Sequence, residues 1–430
     1  MSAGSTVVVR PARNVSGSLR LPGDKSISHR YAMLGAIASG TTKLENFSTG
    51  ADCASTLSCL RTLGVSWARD GDSVAITGRG CSLQAPPVAL DCGNSGSTMR
   101  MLSGILAGQE FSSELVGDSS LSKRPMARII TPLQSMGAKI SASQGNRPPL
   151  RISGGHLNPV DYKLPVASAQ VKSAILFAGL FASGETSVSE PVRTRDHGEL
   201  ALRAFGARVE RENDRTRIQG NQPLHAIEAT VPGDLSSAAF FLCAAALFPD
   251  SQLVISGLGM NPTRSYLLDL LISMGLQISV TEIEERHGEL VGSLQVRGGR
   301  LRGATIQSPH TELLIDEIPV LAAIAPFTVE GLEIRDAREL RVKESDRIAA
   351  IAGNLRALGA EVEEREDGLK IPGSQQLHGA QIDSRGDHRI AMSFAIAALR
   401  ASGETIISGA DAAVISYPEF FSTLEQIVQR

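Results

Sequence analysis

The side chains able to do chemistry in this 430-residue chain gather where apolar helical patterns begin. The stretch Leu21-Pro22-Gly23-Asp24-Lys25-Ser26-Ile27-Ser28-His29-Arg30 sets a glycine, a lysine, two serines and an arginine ahead of an apolar helical run, Tyr31 to Ser39. Backbone N–H groups, hydroxyls and two fixed cations at a helix start suit an oxyanion of the phosphate or carboxylate kind. The stretch is not a P-loop, because Asp24 separates Gly23 from Lys25. Taken alone it reads equally well as a capped surface helix. In Asp91-Cys92-Gly93-Asn94-Ser95-Gly96-Ser97-Thr98-Met99-Arg100, two glycines let backbone approach a ligand closely, and Ser97 or Thr98 is placed to cap; an ordinary Gly-rich turn is the plainer reading. Gly117 to Met126 carries the adjacent cations Lys123 and Arg124 before a Pro-started helix, and arginine favours bidentate recognition of carboxylate or phosphate. Ser168-Ala169-Gln170 opens another apolar helix, where a glutamine can hydrogen-bond a substrate hydroxyl, and Thr194-Arg195-Asp196-His197 offers a further arginine.

The second half of the chain repeats the theme. Asp316 and Glu317 precede an apolar helix, and Gly386-Asp387-His388-Arg389 opens the last one. Arg341-Val342-Lys343-Glu344-Ser345-Asp346-Arg347-Ile348 is the densest charged run; on a helix Lys343 and Arg347 share a face. The bland reading of each run is a solvated helix face, yet every one leads into an apolar segment. Lys25, Arg30, Arg124, Arg195, Lys343, Arg347 and Arg389 make seven cations at equivalent places in a chain of net charge −3. That pattern predicts a focused positive cleft closing two lobes on a small, multiply anionic ligand. Asp316 and Glu344, carboxylates among the cations, are the acid–base candidates, with pKa values tuned by those cations.

Six copies of one unit must position these residues. An apolar helix, a Gly-containing turn and an alternating strand recur from Arg30, Met99, Gln170, Ser236, Ile318 and His388. Between them a second helix ends before Gly64, Gly137, Gly206, Gly275 and Gly359, each expected as a left-handed helix stop. The spacing is roughly seventy residues, so each unit reads as β-α-β-α-β-β with its first helix buried. Pro-Gly-Asp occurs at 22–24 and again at 232–234 and divides the copies three and three. The expected fold is therefore α/β in two similar lobes, residues 22–231 and residues 1–21 plus 232–430, with hinges near 21–24 and 231–234.

Composition bounds the function. At 42% hydrophobic and 20% charged residues the chain can build a large core, and its net charge excludes a globally basic nucleic-acid binder. Five cysteines without a C-x-x-C pair argue against a disulfide framework or zinc site and for free thiols in a reducing cytosol. No signal peptide or membrane span is expected.

The motifs P-G-D-K-S-I-S-H-R at 22–30, G-N-S-G-S-T-M-R at 93–100, K-R-P-M at 123–126, S-A-Q at 168–170, R-V-K-E-S-D-R at 341–347 and G-D-H-R at 386–389, in that order, resemble those of the 5-enolpyruvylshikimate-3-phosphate synthases over the full length. The resemblance implies two lobes of three β-α-β-α-β-β units joined by two crossing segments, the inside-out α/β barrel of the enolpyruvyl transferases. It implies that the 5-hydroxyl of shikimate 3-phosphate adds to the central carbon of phosphoenolpyruvate while the methylene is protonated. A tetrahedral adduct then loses phosphate, in chorismate and aromatic amino-acid biosynthesis, with no metal or organic cofactor. By position, Lys25 lies between both substrates. Ser26, Arg30, Ser168, Ala169, Gln170, Arg195, Asp316 and Lys343 match the shikimate 3-phosphate side; Gly96, Arg124, Gln170, Arg347 and Arg389 match the phosphoenolpyruvate side. Asp316 matches the residue thought to take the 5-hydroxyl proton, and Glu344 the group thought to work on the methylene proton. A cytoplasmic monomer is implied.

The sequence also departs from some members. Ala169 replaces a second serine, so only its backbone can contribute, and Ile415 stands where some members have a lysine. Motif variants place the chain with the second sequence class, often tolerant of glyphosate, yet Gly96 stands where some tolerant members carry Ala; sensitivity is left open. The alternatives are the sister UDP-N-acetylglucosamine enolpyruvyl transferase, whose mobile-loop cysteine has no counterpart between Gly117 and Arg128, and a non-catalytic anion-binding repeat protein. RNA 3′-phosphate cyclases share the fold but not the motifs.

Overall fold

Helix starts in this chain are made by short polar caps. Asp24 accepts from the Ile27 N–H at 2.9 Å, Ser95 from Thr98 at 3.1 Å, Ser168 from Val171 at 3.4 Å, Asp234 from Ser236 at 2.7 Å and Asp387 from Arg389 at 2.9 Å. Each such cap contributes about 1 kcal/mol. They open the inner helices Lys25–Ile37, Gly96–Ala107, Ala169–Gly179, Leu235–Ala246 and His388–Ala398; a sixth, Ile318–Ile324, starts with Pro319 in its first turn. Ser95, and not Ser97 or Thr98, caps the second: Ser97 and Thr98 already lie inside the helix.

The computed structural model describes residues 5–430; residues 1–4, the start of the expected second lobe, lie outside the described residues. Two compact units emerge. One holds Gly23–Val231 and Glu285–Glu289; the other holds the chain up to Pro22 together with Pro232–Glu284 and Leu290–Arg430. Among the described residues no helix is long and apolar enough to cross a membrane.

In the Gly23–Val231 unit three four-stranded sheets share one order. They run Glu228–Thr230, Thr41–Glu45, Ser73–Thr77, Ser66–Asp70; then Leu90–Asp91, Ser112–Val116, Arg147–Ser153, Lys139–Ser143; then Asp161–Lys163, Glu185–Ser189, Arg215–Gln219, Val209–Glu212. The first pair in each is parallel and the rest antiparallel. The first copy thus takes its opening strand, Glu228–Thr230, from the far end of the unit, in register Glu228 opposite Lys43. The other unit follows the same scheme with two exchanges. Asn14–Arg20 lies parallel to Gln252–Gly259 and opens the fourth copy; Thr6–Val9 lies antiparallel to Thr405–Ser408 in the sixth. In the sixth copy the place that a hairpin of its own fills in the repeat pattern is taken by Thr6–Val9, which supplies the ladder partner of Thr405–Ser408.

Each unit has its own hydrophobic cluster, to which all three of its inner helices contribute alongside strands and outer helices. Every residue of Leu235–Ala246 and of His388–Ala398 is buried. Small residues permit this packing: a Cβ on Gly104 would lie 2.1 Å from the Ala174 carbonyl oxygen, so helices Gly96–Ala107 and Ala169–Gly179 meet nearly backbone to backbone. All five helix-stop glycines have positive φ, from +83° at Gly64 to +108° at Gly137. After each, the next N–H returns to the helix, as in Val65 N to Leu60 O at 3.0 Å and Ala360 N to Leu355 O at 2.9 Å.

Candidate active site

Within the Gly23–Val231 unit, Lys25 and Arg30 lie in the first inner helix, whereas Arg124 and Arg195 lie in loops before helices Ala127–Ser135 and His197–Ala204. Lys25 opens the first inner helix and its Nζ lies 2.9 Å from Asp52 Oδ2, a nearly buried carboxylate on helix Ala51–Thr62. Arg30, one turn on from Ser26, donates from Nη1 to the Ser26 carbonyl at 2.9 Å, and from Nε and Nη2 to Ser173 Oγ at 3.2 and 3.0 Å. Burial pushes the Arg30 guanidinium down to about 10, with Glu199 and Asp24 opposing and Arg195 adding to the fall; it stays charged at neutral pH. Gly198 crowds this contact, since a Cβ there would lie 2.6 Å from Ser173 Oγ. Ser168 and Ala169 form the half-exposed start of the third inner helix, where Gln170 accepts from Arg100 Nη1 at 2.7 Å and donates to Ser97 Oγ at 2.8 Å. Arg195 sits half-buried in the loop before helix His197–Ala204.

Arg124 follows a 3-10 turn, Leu121–Lys123, and precedes helix Ala127–Ser135, which begins two residues after Pro125. Its Nη2 donates to Asn94 Oδ1 at 2.8 Å and to Ser120 Oγ at 3.2 Å. A Cβ on Gly96 would lie 2.9 Å from Arg100 Nη1 and 3.4 Å from Arg124 Nη1, so Gly96 keeps room beside two guanidinium groups.

The other unit gathers its site around one carboxylate. Asp316 Oδ1 lies 3.9 Å from Lys343 Nζ and 3.8 Å from Arg347 Nη1, and its Oδ2 lies 3.9 Å from Arg389 Nη2. Arg389 Nη1 donates to the Asp316 carbonyl at 2.6 Å. Glu344 Oε2 accepts from Arg347 Nη2 at 2.6 Å. Arg347 is 1% exposed and its Nε donates to Asp387 Oδ2 at 2.8 Å. Burial works against the Arg347 charge, yet Asp387, Glu344 and Asp316 together hold its pKa above the ordinary arginine value. Burial, with Arg347 adding and Asp316 opposing, pushes Lys343 below the ordinary lysine value. The run 341–348 is not one helix. Lys343 is extended (φ −79°, ψ −151°) between the 3-10 turn Arg338–Val342 and helix Arg347–Ala357, whose cap is Asp346. Tertiary packing against Asp316, and not helical spacing, brings Lys343 and Arg347 together. Arg341 turns elsewhere, to Asp346 at 2.9 Å and Glu364 at 3.2 Å.

Several supporting residues are not visible to sequence reasoning. Asp52, the counter-ion of Lys25, carries no local signal beyond its place in a helix start. Asp387 and Arg100 lie inside the motifs given above, where spacing assigns them no role. The buried set Lys172, Glu190, Glu199 and Arg211 is wholly tertiary: Lys172 Nζ reaches Glu199 at 2.7 Å and Glu190 at 3.1 Å, and Thr194 Oγ1 donates to Glu190.

Comparison with known proteins decides the family. The profile of EPSP synthase (3-phosphoshikimate 1-carboxyvinyltransferase) matches residues 9–424. The chain belongs to the EPSP synthase family. It is 59% identical over 426 residues to the 3-phosphoshikimate 1-carboxyvinyltransferase of Koribacter versatilis, covering 99% of this chain and 100% of that one. The corresponding protein of Solibacter usitatus is 55% identical over 422 residues, covering 98% and 99%. A solved EPSP synthase from Acinetobacter baumannii superposes with a TM-score of 0.87 at 42% identity, over 98% of both chains. The fold matches the enolpyruvyl transferase architecture that the motif resemblance implies.

Proposed function

We propose that this chain uses the Asp316 cluster and the helix starts at Lys25, Gly96 and Gln170 to carry out the reaction of its family. The activity is that of a 3-phosphoshikimate 1-carboxyvinyltransferase of the shikimate pathway. Phosphoenolpyruvate gives its enolpyruvyl group to the 5-hydroxyl of shikimate 3-phosphate and phosphate leaves. The observation that carries the residue assignment is Asp316, held within 3.8–3.9 Å of Lys343, Arg347 and Arg389. A carboxylate so placed among cations would weaken simple anion binding, yet it can accept a hydroxyl proton in their company. This speaks against a purely anion-binding protein.

In the proposed sequence Asp316 takes the 5-hydroxyl proton as that oxygen bonds to the central enol carbon, and Glu344 handles the proton that the methylene carbon gains. Collapse of the tetrahedral adduct breaks the C–O bond to phosphate, the methyl group returns a proton to Glu344, and the proton held by Asp316 leaves on the phosphate. Ser26, Arg30, Ser168, Ala169, Gln170, Arg195 and Lys343 hold shikimate 3-phosphate. Gly96, Arg124, Gln170, Arg347 and Arg389 hold phosphoenolpyruvate, and Lys25 serves both. Fixed guanidinium and ammonium groups stabilise the charge that develops on the phosphate oxygens. We assign this work to a cytoplasmic monomer with two lobes, residues 22–231 and residues 1–21 plus 232–430. A coupled phosphate assay tests the reading. Phosphate is released only with both substrates present; a folded protein that releases none with both refutes it. Asp316→Ala abolishes release, whereas a pure anion binder would bind its ligand at least as well after that change.

A further inference from the structure

His29 stands between Lys25 and Arg30 and has no part in the scheme above, yet its ring is fully buried. Its Nδ1 lies 2.7 Å from Thr56 Oγ1, which lies 2.7 Å from Thr98 Oγ1. Thr98 Oγ1 donates to Ser95 Oγ at 2.8 Å, and its longer option is the Asp52 carbonyl at 3.4 Å. All four side chains are buried. A hydroxyl has one hydrogen. The Thr56–Thr98 contact by itself fits either direction, but with the Thr98 hydrogen directed to Ser95 at 2.8 Å, Thr56 is left as the donor to Thr98. Thr56 then has none left for His29, and the contact requires a proton on His29 Nδ1. The other ring nitrogen, Nε2, is buried without a hydrogen-bond partner among the described residues. A bare lone pair there costs less than a stranded N–H or an imidazolium.

We propose that His29 is a positioning residue. As the neutral Nδ1–H tautomer it starts a one-way hydrogen-bond chain, His29 to Thr56 to Thr98 to Ser95, that fixes the loop carrying Asn94 and Gly96. Ser95 also caps the helix that begins at Gly96. Its neighbour Asn94 accepts from Arg124 and donates to Asp118 Oδ2 at 2.7 Å. The loop is therefore held from beneath by the chain and from its other side by Arg124. The neutral ring agrees with its surroundings: burial first, then Lys25 and Arg30, hold the His29 pKa well below the ordinary value.

This inference rests on the assignment of Gly96 and Arg124 to phosphoenolpyruvate, and its test separates the two. Protein labelled with 15N-histidine, with the His29 signals assigned by their loss in His29→Asn, shows a protonated Nδ1 and a bare Nε2 at neutral pH. An Nε2–H tautomer or an imidazolium overturns the chain whatever the kinetics. Thr56→Val keeps the shape of the middle link and removes its hydrogen bonds. It raises KM for phosphoenolpyruvate about tenfold, the worth of roughly one buried hydrogen bond, and leaves KM for shikimate 3-phosphate within about twofold. His29→Leu behaves alike, and His29→Asn, whose amide can donate to Thr56, recovers most of the loss. An unchanged KM for phosphoenolpyruvate in folded Thr56→Val overturns the positioning role. A change confined to shikimate 3-phosphate, with the tautomer as stated, overturns the assignment of Gly96 and Arg124. If Thr56→Val does not fold, the tautomer in the unaltered protein still decides.

Discussion

Neutralising Asp387 is the sharpest probe of how the Asp316 cluster is held. Its carboxylate accepts from Arg347 Nε at 2.8 Å, Arg347 Nη2 at 3.3 Å, Ser345 Oγ at 3.0 Å and the Arg389 N–H at 2.9 Å. The Asp387 and Arg347 side chains are 0% and 1% exposed, so water cannot replace the lost partner. Breaking a buried pair by removing one charge costs about 3–5 kcal/mol. Asp387→Asn keeps an acceptor, and Glu344 still holds Arg347 at 2.6 Å, so the lower figure, about 3 kcal/mol, is expected. Urea denaturation of both proteins at pH 7 measures it. The pH dependence has a definite sign. Burial opposes the Asp387 charge, but Arg347 outweighs it and the folded pKa is lowered. The stabilisation is then fully present above the unfolded value, about 3.9, and is lost as pH falls through the folded value. The gap between the two proteins is thus full at pH 7 and narrows below about pH 4. A loss under about 1 kcal/mol at pH 7, or a gap that widens on acidification, would refute the reasoning.

Three further outcomes follow from the geometry. Gly104→Ala sets a methyl carbon 2.1 Å from the Ala174 carbonyl and forces two inner helices apart, with a loss of about 1–3 kcal/mol read from thermal unfolding; an unchanged midpoint would show that the helices can slide. Lys172→Met leaves buried Glu190 and Glu199 with Arg211 as their remaining cation among the described residues and Thr194 still donating to Glu190, and costs about 3–5 kcal/mol in denaturation; adding Glu199→Gln recovers part of it, and no recovery would place the loss in packing alone. Glu344→Gln slows turnover roughly 100-fold or more while both substrates still bind; lost affinity with surviving turnover at saturation would assign Glu344 to binding.

Much of this protein is legible in one dimension because its determinants are local. A helix stop needs a residue that tolerates positive φ, so Gly64, Gly137, Gly206, Gly275 and Gly359 mark the repeat along the chain itself. Inner helices apolar on every side can only be buried, and they are. The sixth copy breaks the pattern because its ladder partner is remote: Thr6–Val9, about 400 positions away, pairs with Thr405–Ser408. Ser95 displaces the expected caps because a helix boundary shifts by a residue or two at little cost.

Sequence alone determined the residue types at each helix start, the sixfold repeat and the family. Those depend on neighbours along the chain, through dihedral preference, capping and period. Only tertiary structure decided the partners: Asp52 for Lys25, Asp387 for Arg347, Ser173 for Arg30 and the Thr56–Thr98–Ser95 path from His29. Apart from the Thr98–Ser95 step, three positions long, these contacts join residues 27 to 143 positions apart. The energy of a buried charge or hydroxyl depends on which remote group packing brings within about 3 Å, and no local spacing encodes that distance.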